Sequence, residues 1–256
     1  MSRLSTFLLA WVALAVVAPR DLARAEDPAD CRVAENLIEA DFPLPRVAKA
    51  LARKTLDVLV VGAGSSTLPG PNGARTAYPA RLQSALQEKL PGVAVKLATD
   101  VKLRRTAGDM VETMPAVLAA NRPALVVWQT GTVDAMLGID PDEFSAAVNK
   151  GVEIAHRAGA DIILVNSQYS PRTDSLIALS TYLEDMRWVA LQQEITLLDR
   201  FAIMKLWTEL GTFDFHSATN TLDTAERVHD CIGRLLADVV VEATKPAKPL
   251  PVTGRP

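Results

Sequence analysis

Two adjacent serines stand in a glycine-rich loop that follows a short apolar run. The run covers residues 56–61, and the loop begins at Gly62 and contains Ser65 and Ser66. A serine hydroxyl held in a tight turn can attack an ester carbonyl if a base lies within reach. The same two serines could also be turn residues whose hydroxyls cap the following segment. The serines alone therefore leave a nucleophilic and a structural role open.

A base for such a serine must come from one of three histidines, which are His156, His216 and His229. His156 lies inside a helical pattern and is typical of a surface or structural histidine. His229 follows Glu226 by three residues, a spacing that places two side chains on neighbouring positions of a helix. A carboxylate in that position can hold an imidazole in one orientation, although an ordinary surface pair has the same spacing.

The glycine-rich loop does not fit a nucleotide-binding motif. The dinucleotide fingerprint G-x-G-x-x-G requires a third glycine where this loop has Thr67, and the loop carries no P-loop lysine. Two cysteines and three histidines also make a multi-ligand metal site hard to assemble. The loop is therefore assigned to hydroxyl chemistry or to a turn.

The composition is that of an ordinary globular protein. The chain has 256 residues, is 49% apolar, and carries 27 basic against 30 acidic residues for a net charge of −3. This charge is too weak and of the wrong sign for a protein that binds nucleic acid or an anionic membrane. One domain of moderate size, with a sizeable core, fits the length.

The N-terminal 25 residues have the pattern of a secretory signal. Arg3 precedes an apolar stretch over residues 4–18, and Ala23 and Ala25 provide a small-x-small cleavage site. An uncleaved membrane anchor is the alternative, although the stretch is shorter than the roughly 20 residues of a spanning helix. We therefore expect a signal peptide over 1–25, a domain over 26–244 and a Pro-rich tail over 245–256, with the mature protein periplasmic or secreted and without a membrane span.

Export changes the interpretation of the two cysteines. Cys31 lies near the mature N-terminus and Cys231 lies near the C-terminus. Lone cysteine pairs often form disulfides in oxidising compartments, which predicts a Cys31–Cys231 bridge. Two unpaired thiols are the alternative.

Short apolar runs alternate five times with helical patterns. The predicted strands cover 56–61, 93–97, 124–128, 161–165 and 196–198, and the predicted helices cover 77–90, 109–121, 141–157, 175–192, 202–210 and 225–241. This alternation predicts a three-layer α/β/α sandwich around a five-stranded parallel sheet, with flavodoxin-like strand order. Ligands of such sheets bind at the carboxyl ends of the strands.

Four short blocks at these strand ends resemble those of the SGNH (GDSL-type) hydrolases. They are Gly64-Ser65-Ser66-x-x-x-Gly70, Thr106-Ala107-Gly108-Asp109, Gln129-Thr130-Gly131-Thr132-Val133-Asp134, and Glu226-x-x-His229. Each block is weak alone, but they occur in family order over residues 56–241. The resemblance implies the SGNH fold and a serine esterase that needs no metal or cofactor.

The resemblance also implies a role for each matching residue. Ser66 would be the nucleophile, His229 the general base, and Glu226 the acid that orients the base. The backbone N–H groups of Ser66 and Gly108 would form the oxyanion hole. Asp109, by contrast, is expected to cap a helix.

Three positions depart from the family pattern. Ser65 replaces an aspartate outside the proton-transfer chemistry, and Glu226 replaces the aspartate of the triad. Val133 stands where the family has its oxyanion-hole asparagine, and valine donates no hydrogen bond. Loss of one such donor lowers the rate of catalysis by about 10²–10³. The hydroxyl of the neighbouring Thr132 is a candidate replacement donor.

The loop over residues 166–172 leaves the fourth predicted strand on the same edge. Its Tyr169 could stack on a sugar face and its Arg172 could hold a carboxylate, although a polar surface loop has the same composition.

Together, the sequence features predict an exported esterase that deacylates a cell-envelope or extracellular polysaccharide, with lipase, lysophospholipase and thioesterase as alternatives of the same class. The alternative from a different class is a catalytically weak SGNH-like domain that binds glycan or a secretion partner, and Val133 motivates it.

Overall fold

Five parallel strands form one sheet. The computed structural model describes residues 31–217, 219 and 221–245, so the predicted signal peptide and all of the predicted tail beyond Lys245 lie outside the described residues. The strands are β1 (Thr55–Gly62), β2 (Ala94–Val101), β3 (Leu125–Gln129), β4 (Asp161–Val165) and β5 (Thr196–Leu198). Their order is β2-β1-β3-β4-β5, which confirms the predicted flavodoxin-like topology.

Helices connect the strands and cover both faces of the sheet. They are α1 (Pro45–Ala52), α2 (Gly73–Thr76), α3 (Tyr78–Lys89), α4 (Ala107–Asn121), α5 (Thr132–Leu137), α6 (Pro141–Arg157), α7 (Pro171–Leu176), α8 (Ser180–Gln192), α9 (Arg200–Glu209) and α10 (Thr221–Ala243). Asp140 caps α6, and Asp109 takes part in a capping box with Thr106 at the start of α4, which confirms the predicted capping role of Asp109.

The core lies in two layers on opposite faces of the sheet. Val58 and Val60 of β1 point into one layer, where α1, α3, α9 and α10 pack. Leu59 and Val61 point into the other layer, which α4, α6 and α8 cover. Alternation along a strand sends successive side chains to opposite faces, and helices on both faces bury them all. The three-layer sandwich is confirmed.

The predicted helix over residues 175–192 is two helices. Ser170 caps α7 with its hydroxyl, and Pro171 occupies the first helical position. Ile177 then takes an extended conformation (φ −128°, ψ 127°), which ends α7 before α8 begins at Ser180. The helical pattern in this stretch identified the secondary structure but not the break.

A disulfide joins Cys31 to Cys231, as predicted. The Cα atoms are 5.0 Å apart, and both residues are buried. The bridge attaches the segment before α1 to the middle of α10, across 200 residues of sequence. In the chain-entropy model, a loop of this length contributes about 5 kcal/mol to stability.

Within the described ranges, no helix is long and apolar enough to cross a membrane.

The buried carboxylate of Asp161 holds the start of α1 against the sheet. Its Oδ2 accepts hydrogen bonds from the backbone N–H groups of Arg46 and Val47, at 2.7 and 2.9 Å. Its Oδ1 accepts a third bond from Arg46 Nη1 at 3.0 Å. The first N–H groups of a helix have no partner within the helix, so this strand residue satisfies them from outside.

Replacing Asp161 with alanine should lower the free energy of unfolding by about 2–3 kcal/mol, because two backbone donors and a guanidinium lose their acceptor. Urea unfolding measures the change. The matched control is Glu153→Ala, which breaks an exposed Arg157–Glu153 pair and should change stability by less than about 0.5 kcal/mol. Equal effects of the two substitutions would contradict this assignment.

Candidate functional site

The carboxyl ends of the central strands gather the polar side chains that the sequence singled out. β1 ends at Gly62 and leads into a 3₁₀ turn over Gly64–Ser66, and β3 ends at Gln129. Because parallel strands end at the same edge of a sheet, these residues meet there. We define the polar centre as Ser65, Ser66 and Gln129 together with Tyr78, Arg200 and His229.

Ser66 is buried in the polar centre, and its hydroxyl has two neighbours. Ser66 Oγ donates to Gln129 Oε1 at 2.8 Å and lies 3.0 Å from the hydroxyl of Tyr78. Ser65 Oγ donates to the same Gln129 oxygen at 2.7 Å. An amide oxygen accepts a hydrogen bond but does not take up a proton near neutral pH. The hydroxyl of Ser66 is therefore oriented towards a group that cannot act as its base.

The turn that holds Ser66 requires glycine at position 62. A Cβ atom on Gly62 would lie 2.2 Å from Ser66 Oγ and 2.8 Å from its Cβ, far inside van der Waals contact. Because the last residue of β1 has no side chain, Ser66 can pack directly against its backbone.

His229 lies in α10, and both of its ring nitrogens face hydrogen-bond donors. Nδ1 accepts from the backbone N–H of Tyr78 at 2.9 Å, and Nε2 is 3.3 Å from Arg200 Nη2. A neutral imidazole has one acceptor nitrogen, and the fixed backbone N–H assigns it to Nδ1. In a Ser-His-acid triad, Nδ1–H donates to the acid and Nε2 accepts from the serine. Here Nδ1 accepts and Nε2 carries the hydrogen, which is the opposite tautomer, so Arg200 Nη2 is a close contact of Nε2 and not a donor to it.

Burial and a neighbouring cation keep His229 neutral. The side chain is only 4% exposed. Desolvation, and then the charge of Arg200, lower the pKa of His229 to about 2. A general base must gain a proton during the reaction, and this environment opposes that step.

Arg200, the first residue of α9, is fully buried beside His229. Its Nη1 donates to the backbone oxygen of Ser65 at 2.9 Å, and its Nη2 is 3.5 Å from Gln168 Oε1. Its guanidinium lies 5.7 Å from the ring centroid of Tyr78. Burial lowers the pKa of Arg200 to about 10, which leaves it charged at neutral pH. The Arg200 side chain therefore contacts the turn after β1 (residues 63–66), the loop after β4 (residues 166–170) and α10.

Glu226 is not brought to His229. Glu226 lines a cavity of about 300 Å³ beside the disulfide, together with Arg81, Asp223, Arg227 and Asp230. Among the described residues, no hydrogen bond joins its carboxylate to the His229 ring. The i, i+3 spacing allows such a contact but does not require it. Here the imidazole turns inward to Tyr78, while the carboxylate stays at the cavity. The acid role of Glu226, like the base role of His229, stays a prediction that this arrangement does not support.

Of the two predicted oxyanion donors, the Ser66 N–H donates to the backbone oxygen of Ala63 at 2.9 Å, and the other belongs to Gly108 in α4. Gly108 lies exposed in the first turn of this helix. The buried carboxylate of Asp134 accepts from the N–H groups of Ala107 and Gly131, at 2.8 and 3.3 Å, and so ties the second block to the third. Burial raises the pKa of Asp134, although these N–H groups oppose the shift.

Val133 and Thr132 take different environments in the first turn of α5. Val133 packs against the apolar layer formed with α4 and α6. The hydroxyl oxygen of Thr132 is buried and has no hydrogen-bond partner among the described residues. Thr132 therefore retains a donor, although its role in an oxyanion hole stays a prediction.

The two ligand-binding residues predicted in the loop over residues 166–172 lie in different environments. Tyr169 is 9% exposed and packs edge-to-face on Phe201, with ring centroids 5.2 Å apart. Its ring packs in a core layer, so the predicted stacking role stays a prediction that this arrangement does not support. Arg172 is exposed in the first turn of α7 and remains available at the edge of the sheet.

Sequence reasoning missed two members of the polar centre, Tyr78 and Arg200. Arg200 lies two residues after the end of the short strand β5, and a cation at the carboxyl end of a parallel strand was the available signal. Tyr78 is the first residue of α3, and no sequence feature indicated a functional role for it, since an aromatic residue at a helix start is ordinary.

Solved structures of esterases share this fold. The chain resembles the structure of TesA, with 22% identity, 70% of this chain and 97% of that chain covered, and a TM-score of 0.56. A putative lipolytic protein of the G-D-S-L family from Desulfitobacterium hafniense gives 18% identity, coverage of 72% and 99%, and a TM-score of 0.55. Axe2, an acetylxylan esterase from Geobacillus stearothermophilus, gives 18%, 74% and 94%, and 0.56. The fold is that of the SGNH esterases and lipases.

Comparison of the amino-acid sequence with family models identifies the family of this chain. The model of the non-GDSL lipase-like family matches residues 30–246, and the chain belongs to this family. This confirms the predicted SGNH relationship and places the chain among lipase-like proteins. No curated protein sequence matches the chain.

Acidification should destabilise the protein through His229. The pKa of this group is about 2 in the folded chain and about 6.5 when unfolded, so between these values only the unfolded chain binds the proton. Stability should therefore fall as the pH drops below 6.5, by up to about 1.4 kcal/mol per pH unit from this group.

Urea unfolding between pH 7 and pH 4 measures the slope, and His229→Gln should reduce it because glutamine does not titrate. Imidazole ¹⁵N shifts should show a neutral His229 ring throughout this range. A ring that becomes protonated near pH 6.5 in the folded protein would contradict the described environment.

Proposed function

We propose that this chain is an exported, catalytically weak SGNH-fold domain that binds an acylated carbohydrate. The observation that carries the proposal is the pair of donors, Tyr78 N–H and Arg200 Nη2, that face the two nitrogens of His229. They lie against the imidazole that the family pattern offers as the base of Ser66, and Tyr78 holds its acceptor nitrogen. Val133, which donates no hydrogen bond at the oxyanion position, supports the same conclusion.

The edge of the sheet at the polar centre suits an acyl group. Several exposed apolar side chains lie on the segments that follow β2, β3 and β4, namely Leu103, Met136, Leu137 and Leu176. Leu103 Cδ2 lies 3.3 Å from the position that a Cβ atom on Gly64 would take, next to the two serines. Exposed apolar groups around a polar centre are typical of a site for a ligand with both characters. The fold shared with an acetylxylan esterase supports a carbohydrate ester as that ligand.

Export is supported by the N-terminal pattern and by the disulfide. Residues 1–25 have the charge, apolar length and cleavage site of a secretory signal. The Cys31–Cys231 bridge is of the kind that persists in an oxidising compartment, such as the periplasm or the cell exterior.

Serine ester hydrolysis is the second candidate function. It is favoured by the position of Ser66 in the turn after β1 and by membership of a lipase-like family. In this function Ser66 would attack the ester carbonyl, and His229 would accept its proton. The His229 ring would first have to leave the Tyr78 N–H and turn a free nitrogen to Ser66.

A fluorophosphonate probe should leave Ser66 unlabelled in the folded protein. The hydroxyl donates to an amide oxygen and has no base, so its reactivity should be close to that of an ordinary serine. Peptide mass spectrometry detects an adduct, and p-nitrophenyl acetate hydrolysis by wild type should equal that of Ser66→Ala. A stoichiometric adduct on Ser66, together with loss of turnover in Ser66→Ala, would establish the esterase instead.

Binding of an acylated oligosaccharide should depend on the apolar edge. Leu137→Ser should weaken binding of an acetylated xylo-oligosaccharide several-fold, as measured by titration calorimetry, because the acyl group loses apolar contact. Leu191→Ser is the matched control. The two leucines are 64% and 59% exposed, but Leu191 lies near the end of α8, which leads into the opposite edge of the sheet. Equal loss in both variants, or no binding by wild type, would contradict the proposed ligand site.

A further inference from the structure

The guanidinium of Arg200 is a buried cation without a carboxylate partner among the described residues. Its contacts are the Ser65 carbonyl, the Gln168 amide oxygen, a His229 nitrogen and the face of the Tyr78 ring, all of them neutral. The adjacent carboxylate of Asp199 is bound by Arg187 Nη2, as an ion pair at 2.6 Å. Buried charges in proteins are normally paired, because an isolated buried charge is strongly unfavourable.

The polar centre also has more donors than acceptors. Two of its buried side-chain atoms have no hydrogen-bond partner in the described part of the chain, namely Gln129 Nε2 and Arg200 Nε. The oxygen of the Gln129 amide already accepts from Ser65 and Ser66, so the N–H groups are the part of this buried side chain that remains unpaired. The amide and guanidinium nitrogens only donate, so a group rich in acceptors would complete the set.

Gln168 is the neutral acceptor that such a group would replace. Its side chain is partly exposed, whereas Arg200 beneath it is fully buried. Its Oε1 lies 3.5 Å from Arg200 Nη2, at the outer limit of a hydrogen bond. A carboxylate in that position would form a shorter, charge-assisted bond to the guanidinium.

We propose that the polar centre binds a carboxylate, which displaces Gln168 from Arg200 and accepts from the unpaired donors. This inference rests on the proposed function for its ligand, and it narrows that ligand to a carboxylate-bearing one. The carboxylate can be that of a uronic acid residue in an acidic glycan or that of a free carboxylic acid. Both present the same two oxygens to the guanidinium.

Titration calorimetry of the full chain compares three probes, a galacturonic acid trimer, the neutral galactose trimer, and acetate. The acidic trimer should bind at least about tenfold more tightly than the neutral one, because a hydrogen bond between charged groups contributes about that much. The preference should weaken at high salt. Arg200→Gln should abolish it, whereas the matched control Arg187→Gln should retain it.

A second variant covers the case in which Arg200→Gln does not fold. Gln168→Ala removes the competing acceptor at a partly exposed position and should tighten binding of the acidic trimer several-fold. Equal affinity for both trimers in wild type, or an acidic preference that Arg200→Gln retains, would overturn the inference while leaving the proposed function in place. Binding of neither trimer would contradict the proposed function. Acetate binding that is lost in Arg200→Gln would still support the carboxylate site as one for a free acid.

Discussion

The site of this protein depends on the burial of the Arg200 guanidinium at the carboxyl edge of the sheet. A charge removed from water must be stabilised by whatever dipoles surround it. Here those dipoles come from the turn after β1 and the loop after β4. After burial, the same charge is the second cause that lowers the pKa of His229, so one side chain both contacts two loops of the site and helps to keep this imidazole neutral.

The second constraint is the backbone N–H of Tyr78. This group begins α3, where the first N–H groups have no partner within the helix. His229 satisfies it through Nδ1, and α3 and α10 are packed against each other. A Cβ atom on Gly233 of α10 would lie 2.7 Å from the backbone nitrogen of Leu82 in α3, which shows how close the two helices are. Histidine is thus an element of helix packing here, and Nδ1, which donates to the acid in a Ser-His-acid triad, accepts from Tyr78 instead.

Different parts of this chain set its fold and the side chains at its strand ends. The sheet order, the turn after β1 and the layers of helices are those of the SGNH esterases, while the side chains at the strand ends differ from the pattern that catalysis uses. Folds of this kind support many functions because the strand ends present side chains that the core does not constrain. Asp134 has a structural role in this arrangement, since it joins the second and third blocks through backbone N–H groups rather than through reactive atoms.

The amino-acid sequence by itself predicted the sheet and the longer covering helices, and it favoured the disulfide over two free thiols. The apolar run over residues 162–165 favours a buried strand between two layers, and Asp140 followed by Pro141 is typical of a helix start. The strand and helix patterns are local, so they can be recognised without the tertiary structure, whereas the disulfide was predicted from the expected compartment. The partners of His229 are not local. Tyr78 lies 151 residues away and Arg200 lies 29 residues away, whereas the predicted partner Glu226 is three residues away. A helical spacing shows which side chains are able to meet, but only the packing of α10 against α3 and α9 decided which way the ring faces.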